Sequence, residues 1–150
     1  MNIAVILAGG SGTRMGNDVP KQFLKVAGKK VLEHTIEVFE NAKNIDEICI
    51  VSRTDYINEV ESIIINNGYT KVKKILSGGK ERYDSSLAAI NAYPTNNHNL
   101  LFHDAVRPLL TERIIDDCLT ALNQYNAVDV AIKTTDTIIQ VDNNDCIISV

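Results

Sequence analysis

Short β-rich runs and helical patterns take turns along most of this chain, and that alternation fixes the class of fold. The β-rich runs are Ile3–Leu7, Glu47–Ser52, Lys73–Ser77, Leu100–His103 and Val128–Lys133. The helical patterns between them are Val31–Asn41, Ile57–Asn67, Asp84–Ala92 and Glu112–Gln124. Strand, helix and strand again is a crossover unit, which pairs its strands in parallel and lays its helix on a sheet face. The expectation is an α/β fold with a parallel or mostly parallel sheet and helices on both faces. Gly68 suits the C-terminal stop of the second helix. The fourth carries Ile114, Ile115, Cys118, Leu119 and Leu122 at helical spacing behind Thr111, a candidate N-cap. Asp84 is a candidate cap for the third. A chain of 150 residues points to one domain, 1–150, long enough to bury a real core.

The tail, TIIQVDNNDCIISV, reads differently. Two β-rich runs flank Asn143-Asn144, which suggests a hairpin arm. The second run stops with the chain, so a domain truncated on its C-terminal side is expected.

Charge and cysteine content narrow the partners. Fifteen Lys and Arg against 19 Asp and Glu give a net charge of −4. That mild acidity argues against a nucleic-acid binder, which carries a basic stripe. It leaves room for a small basic site facing an anionic ligand. Cys49, Cys118 and Cys146 are far apart and lack metal-type spacing. Cys49 and Cys118 read as core filler, and free thiols suit a reducing compartment. The opening MNIAVIL has no basic flank and too short an apolar run for a secretory signal. No run approaches the ~18 apolar residues of a membrane span. A cytoplasmic location without membrane contact is expected.

The stretch with the most chemistry is LAGGSGTRMGNDVPKQF, residues 7–23, directly after the first strand. In a parallel sheet, ligands bind beyond the carboxyl ends of the strands. Glycines there let a backbone approach a ligand closely, and freed N–H groups can cradle phosphate oxygens. Arg14 supplies a planar fork of donors and Lys21 a mobile point charge, with Pro20 stiffening the approach. The blander alternative is a glycine-rich turn with two surface cations. Two familiar nucleotide motifs do not fit. GxxxxGK[ST] fails because Asn17 follows Gly16, and GxGxxG fails because Gly16 falls one place late. An oxidoreductase of the dinucleotide-binding type is therefore disfavoured.

LAGGSGTRMG…PKQF resembles the signature of the cytidylyltransferases that make CDP-linked alditols. This family includes 2-C-methyl-D-erythritol 4-phosphate cytidylyltransferases and ribitol-5-phosphate cytidylyltransferases. Two further blocks are similar to family segments in order and position: GGKERYDSS at 78–86, and HDAVRP at 103–108, the end of the fourth strand. The resemblance implies a Rossmann-like sheet of the nucleotide-diphospho-sugar transferase type with a β-hairpin arm. It also implies a reaction: CTP and an alditol phosphate give a CDP-alditol and pyrophosphate, with Mg²⁺ bridging the CTP phosphates.

By the same resemblance, Leu7, Ala8, Gly9, Gly10 and Gly12 line the CTP pocket. Arg14 and Lys21 are the catalytic cations on its phosphates. Gly79 and Ser85 read the cytosine base, with Lys80 near the ribose. Arg107 steadies the incoming phosphate by a bidentate contact. Asp104 orients substrate hydroxyls or touches the metal, and Arg82 is either a brace or a phosphate contact. Without the family, Asp104 and Arg107 would read equally well as a structural ion pair. Thr137 matches a residue that reaches the neighbouring subunit's substrate, so a homodimer through the arm is implied.

His103, His34 and His98 have no zinc-type spacing, and His103 reads as structural. KVKK at 71–74 reads as a solvated strand start. HDAVRP, AVDVAI and DTII without a following lysine look more like the ribitol-phosphate branch than the methylerythritol branch. Family members continue past the arm with an arginine, a TPQ-type segment and a lysine that this sequence does not contain. A catalytically incomplete nucleotide-binding module is the alternative from another class.

Overall fold

A computed structural model describes residues 1–10, 19–95 and 97–149. In chain order its elements are β1 (Asn2–Ala8), β2 (Lys25–Val26), β3 (Lys29–Lys30), α1 (Val31–Asn41) and β4 (Glu47–Ser52). There follow α2 (Ile57–Asn67), β5 (Val72–Ser77), α3 (Arg82–Ala92), β6 (Asn99–Asp104), α4 (Glu112–Leu122), β7 (Gln140–Val141) and β8 (Ile147–Ser149).

Four strands form the central sheet in the order β5-β4-β1-β6, all parallel. The chain builds outward from β1 through β4 to β5, then returns to place β6 on the other side of β1. The strand order therefore reverses between β1 and β6. In open α/β sheets the crevice at such a reversal, beyond the carboxyl ends, is where ligands bind.

β1 and β4 are apolar on both faces because both faces are covered, as parallel sheets require. Ala4, Ile6, Ile48 and Ile50 meet Leu32, Ile36 and Phe39 of α1, Val60 and Ile63 of α2, and Ile115 of α4. Ile3, Val5, Cys49 and Val51 meet Ala89 of α3 and Tyr93. Each large apolar side chain buried in this way contributes about 1.5–3 kcal/mol. Cys49 is core filler as expected, and burial first of all pushes its thiol up to about 11. α1 turns Leu32, Thr35, Ile36 and Phe39 inward at helical spacing. Gly68 ends α2 in the left-handed conformation, φ 66°, as a C-terminal stop should.

Some local expectations need correction. Val128–Lys133 is not a strand. Its alternating β-branched residues supply propensity, but a strand also needs a ladder partner, and this segment pairs with no described residue. Val128 and Val130 instead stand across an open cleft from Leu100 and Phe102 of β6. α3 begins two residues early, so Asp84 lies inside its first turn and Glu81 is the N-cap. The Asp84 carboxylate still accepts the Glu81 N–H at 3.0 Å. Thr111 occupies the N-cap position of α4 without a side-chain cap bond. The KVKK lysines are not merely solvated. Lys71 Nζ donates to the Ala42 carbonyl at 2.6 Å where α1 ends, and Lys74 Nζ to Ala92 at 2.6 Å where α3 ends. Cations at those carbonyl-rich ends are favourable.

The arm forms as expected. β7 and β8 pair antiparallel across residues 142–146, with the positive φ on Asp145 rather than on either asparagine. Asp142 organises the turn, accepting the N–H groups of Asn144 and Cys146. A second hairpin, β2–β3, was not anticipated. It turns on Ala27 and Gly28, both at positive φ, the pattern of a two-residue hairpin loop. No described helix is long and apolar enough to cross a membrane.

Candidate active site

Three segments converge at the crevice beside β1: the residues after β1, the start of α3 and the turn after β6. Leu7 and Ala8 close β1, with Leu7 in register with Asp104 of β6 and Ala8 with Ser52 of β4. Gly9 and Gly10 follow. Gly12 and Arg14 lie outside the described residues. Lys21 opens a short 3-10 turn, Lys21–Phe23, whose Gln22 reaches back to this loop. The Lys21 ammonium makes no hydrogen bond or ion pair with a described residue.

The turn after β6 is tied on several sides. The Ala105 N–H donates to the Leu7 carbonyl at 3.0 Å and the Arg107 N–H to the Asp104 carbonyl at 3.1 Å. Thr35, a buried polar residue on the apolar face of α1, donates to the Ala105 carbonyl at 2.9 Å. His103 Nε2 donates to the Arg107 carbonyl at 3.0 Å, and its ring packs edge-on to Phe39. Burial, the largest cause, holds the His103 imidazole below its ordinary 6.5, against the opposing effect of the Arg107 carbonyl. This bears out the structural reading of His103.

Asp104 is the centre of charge. Its carboxylate is bracketed by Arg82, from the first turn of α3, and by Arg107, whose Nε lies 2.9 Å away. Partial burial opposes ionisation here, but Arg82 and then Arg107 outweigh it and hold the carboxyl below its ordinary 3.8. Arg82 thus makes the contact expected of a brace, and a phosphate contact from the same exposed guanidinium stays open. It spans the crevice and joins α3 to the end of β6.

The start of α3 closes the third side. Ser85 is buried, and its Oγ lies 2.7 Å from where a Cβ on Gly78 would stand and 3.5 Å from that of Gly9. So the structure brings Gly9 and Ser85 together, as a shared pocket requires. Lys80 is exposed beside them. Gly79 is needed for close approach, since a Cβ there would fall 2.1 Å from the Asp84 Cβ. Gly79→Ala should displace the first turn of α3, with Ser85 and Arg82 upon it. We expect a melting temperature several degrees lower and nucleotide affinity at least ~10-fold weaker, read by thermal denaturation and calorimetric titration. Unchanged affinity would show that the turn absorbs the methyl group.

Thr137 is not brought to this crevice. It lies in an exposed irregular stretch before the arm. No group of three His, Cys, Asp or Glu able to hold a metal exists among the described residues. Asp104, the one carboxylate singled out for a metal, has both oxygens engaged by guanidinium groups. Gln22 was missed at the sequence level. It stands inside the PKQF block that carries the resemblance, which gave it no role.

Residues 2–150 match the family model described as IspD, 2-C-methyl-D-erythritol 4-phosphate cytidylyltransferase. The chain is 52% identical to the bifunctional ribulose 5-phosphate reductase/CDP-ribitol pyrophosphorylase of Haemophilus influenzae, over 95% of this chain and 31% of that protein. It is 42% identical to the 2-C-methyl-D-erythritol 4-phosphate cytidylyltransferase of Thermobifida fusca, over 92% of this chain and 56% of that one. The crystal structure of 4-diphosphocytidyl-2C-methyl-D-erythritol synthase from Anaerococcus prevotii superposes with a TM-score of 0.82 at 30% identity. It covers 99% of this chain and 62% of that one. The chain therefore spans less than two thirds of the length of each of these relatives.

Proposed function

The chain belongs to the IspD family, and from that premise we propose that it transfers a cytidylyl group from CTP to the phosphate of an alditol phosphate, releasing pyrophosphate. The observation that carries this reading is the crevice itself. A glycine-rich loop, a buried serine and an arginine-bracketed aspartate meet where the strand order reverses. The acceptor phosphate attacks the α-phosphorus of CTP in line, and pyrophosphate leaves. No protein nucleophile is required. Catalysis is positioning together with stabilisation of charge on phosphate oxygens.

In this reading Leu7 to Gly10, with Gly12, line the nucleotide pocket, and Arg14 and Lys21 face the triphosphate. Gly79 and Ser85 meet the cytosine and Lys80 the ribose. Backbone groups and one hydroxyl can reject uracil, whose 4-position accepts where that of cytosine donates. Asp104 fixes the pose of Arg107, which receives the acceptor phosphate. Asp104 is the one carboxylate of the crevice that would reach a Mg²⁺ ion bound with the nucleotide, and such an ion would supply charge neutralisation on the phosphates. The exposed apolar side chains of the arm, among them Ile138, Ile139, Ile147 and Ile148, suit a homodimer contact that carries Thr137 to a partner's site. A reaction that consumes CTP and leaves free thiols intact fits the cytoplasm.

Ribitol 5-phosphate is the favoured acceptor, giving CDP-ribitol for capsule or teichoic-acid polymers. The 52% identity to a protein named for CDP-ribitol formation, against 42% for the methylerythritol enzyme of Thermobifida, supports it. 2-C-methyl-D-erythritol 4-phosphate, of isoprenoid synthesis, is the second reading, favoured by the description of the matching family model. Turnover with the two acceptors side by side decides between them. We expect kcat/KM at least ~10-fold higher with ribitol 5-phosphate, about 1.4 kcal/mol of discrimination. The reverse preference would make this a methylerythritol enzyme.

A further inference from the structure

Gln22 is buried in the wall of the crevice, and its side-chain amide reaches the carboxyl end of β1 and the residues just after it. Its Nε2 donates to the Ala8 carbonyl at 2.7 Å and to the Gly10 carbonyl at 3.0 Å. Both amide protons are thus spent on two carbonyls of one glycine-rich loop, 14 and 12 residues upstream. The turn that carries Gln22 is itself held. The Phe23 N–H donates to the Pro20 carbonyl and the Leu24 N–H to that of Lys21. Phe23 stacks on Tyr56 with centroids 4.9 Å apart.

We propose that Gln22 is a positioning residue for phosphate binding: it draws the Ala8 and Gly10 carbonyls to one side of the loop, so that the Gly9 N–H faces the ligand side. The proposal rests on the nucleotide-binding reading of this loop. Two physical facts carry it. Carbonyl oxygens pointing at a triphosphate would repel it, so a phosphate loop must turn them away. In a trans peptide, C=O and the following N–H point in opposite directions. The described residues contain no cis peptide. Holding the Ala8 carbonyl against Gln22 therefore directs the Gly9 N–H away from Gln22.

The same contact has a second consequence. Lys21 is the neighbour of Gln22, so the amide that orders the loop also sets where the lysine starts. Loop and cation are fixed by one residue. Glutamate is not equivalent, because an ionised carboxylate donates nothing and would face two carbonyl oxygens. Methionine keeps the length and loses both donors.

The test uses Gln22→Met and Gln22→Glu in the protein, with two readouts. The first is the ¹⁵N–¹H shift of the Gly9 amide on addition of sodium tripolyphosphate. It should move in the wild type and stay put in Gln22→Met. The second is pyrophosphate release from CTP. Gln22→Met should lower kcat about 100-fold, the scale of a ~1 Å misplacement. Gln22→Glu should recover relative to the wild type between about pH 8 and pH 5, as its carboxyl gains a proton to donate. A purely structural role would not produce that pH-dependent ratio. Folded Gln22→Met with a wild-type Gly9 response and wild-type kcat would overturn the proposal, as would an unmoved Gly9 amide in the wild type. If Gln22→Met does not fold, a pH-independent ratio for Gln22→Glu overturns it. If the wild type releases no pyrophosphate, the cytidylyl-transfer reading fails, and the tripolyphosphate arm still decides the role of Gln22.

Discussion

Lys21→Ala should lower kcat by about 100- to 1,000-fold while the apparent affinity for CTP changes less than ~10-fold. Lys21 stands at the start of the turn that Gln22 ties to the loop after β1. In the proposed reaction a cation placed there would meet the triphosphate where charge redistributes as pyrophosphate departs. An interaction that grows in the transition state affects kcat, whereas one present equally in the ground state affects binding. The check is steady-state kinetics together with a direct CTP titration of the variant. Equal losses in both would make Lys21 a ground-state binder.

Asp104→Asn should be the most damaging change in the acceptor half of the crevice. The wild-type carboxylate pairs with two guanidinium groups at once and holds both in place. An uncharged amide leaves Arg82 and Arg107 repelling one another, and Arg107 loses the pose in which it would receive a phosphate. We expect kcat/KM for the alditol phosphate to fall about 100-fold or more. Stability should change far less, since both arginines are largely exposed and such pairs contribute about 0–1 kcal/mol. A large kinetic loss beside a small thermal shift separates a functional bracket from a structural one.

The pH dependence gives that variant a second signature. The carboxyl of Asp104 is held below its ordinary 3.8 in the folded protein. Its contribution to stability is therefore complete above that value and is lost as pH falls through the folded value. The difference in melting temperature between the wild type and Asp104→Asn should shrink as the solution is acidified below about pH 4. His103, also held below its ordinary 6.5, adds a separate loss as pH falls from there, and that loss should persist in the variant. A difference that stays constant down to pH 2 would mean that Asp104 is not ionised against its arginines.

The parts of this fold that were legible in the sequence are those set by burial. IAVIL and EICIVS are unbroken apolar runs because helices cover both sides of β1 and β4. The interior helices show their spacing for the same reason. What escaped notice depends on single contacts over distance. The β2–β3 hairpin is two residues on each side, mostly lysine, and has no pattern to read. Val128–Lys133 has the composition of a strand, but composition does not name the neighbour that a strand needs. Lys71 and Lys74 read as solvated because nothing local reveals the helix ends they reach.

The site divides the same way. Gly9, Gly79, Ser85, Asp104 and Arg107 were found through their motifs, and the fold gathers them at the point where the strand order reverses. The pairing of Arg82 with Asp104 became visible only once the start of α3 was seen beside the end of β6. Gln22 was in view inside PKQF but was given no role, because its contacts are two hydrogen bonds to residues more than ten positions upstream. Thr137 lies in the exposed stretch before the arm, outside this chain's own crevice, and its reading toward a partner's site does not require it there.

The central claim is that this crevice moves the cytidylyl group of CTP onto an alditol phosphate. The most direct measurement follows the label of α-³²P CTP, with Mg²⁺ and ribitol 5-phosphate or 2-C-methyl-D-erythritol 4-phosphate present. The account predicts label in a CDP-alditol, one pyrophosphate released for each, and none of either when the acceptor is left out or UTP replaces CTP. CTP bound at the crevice with the label unmoved under both acceptors would contradict it, and would make this chain a nucleotide-binding module without transfer activity.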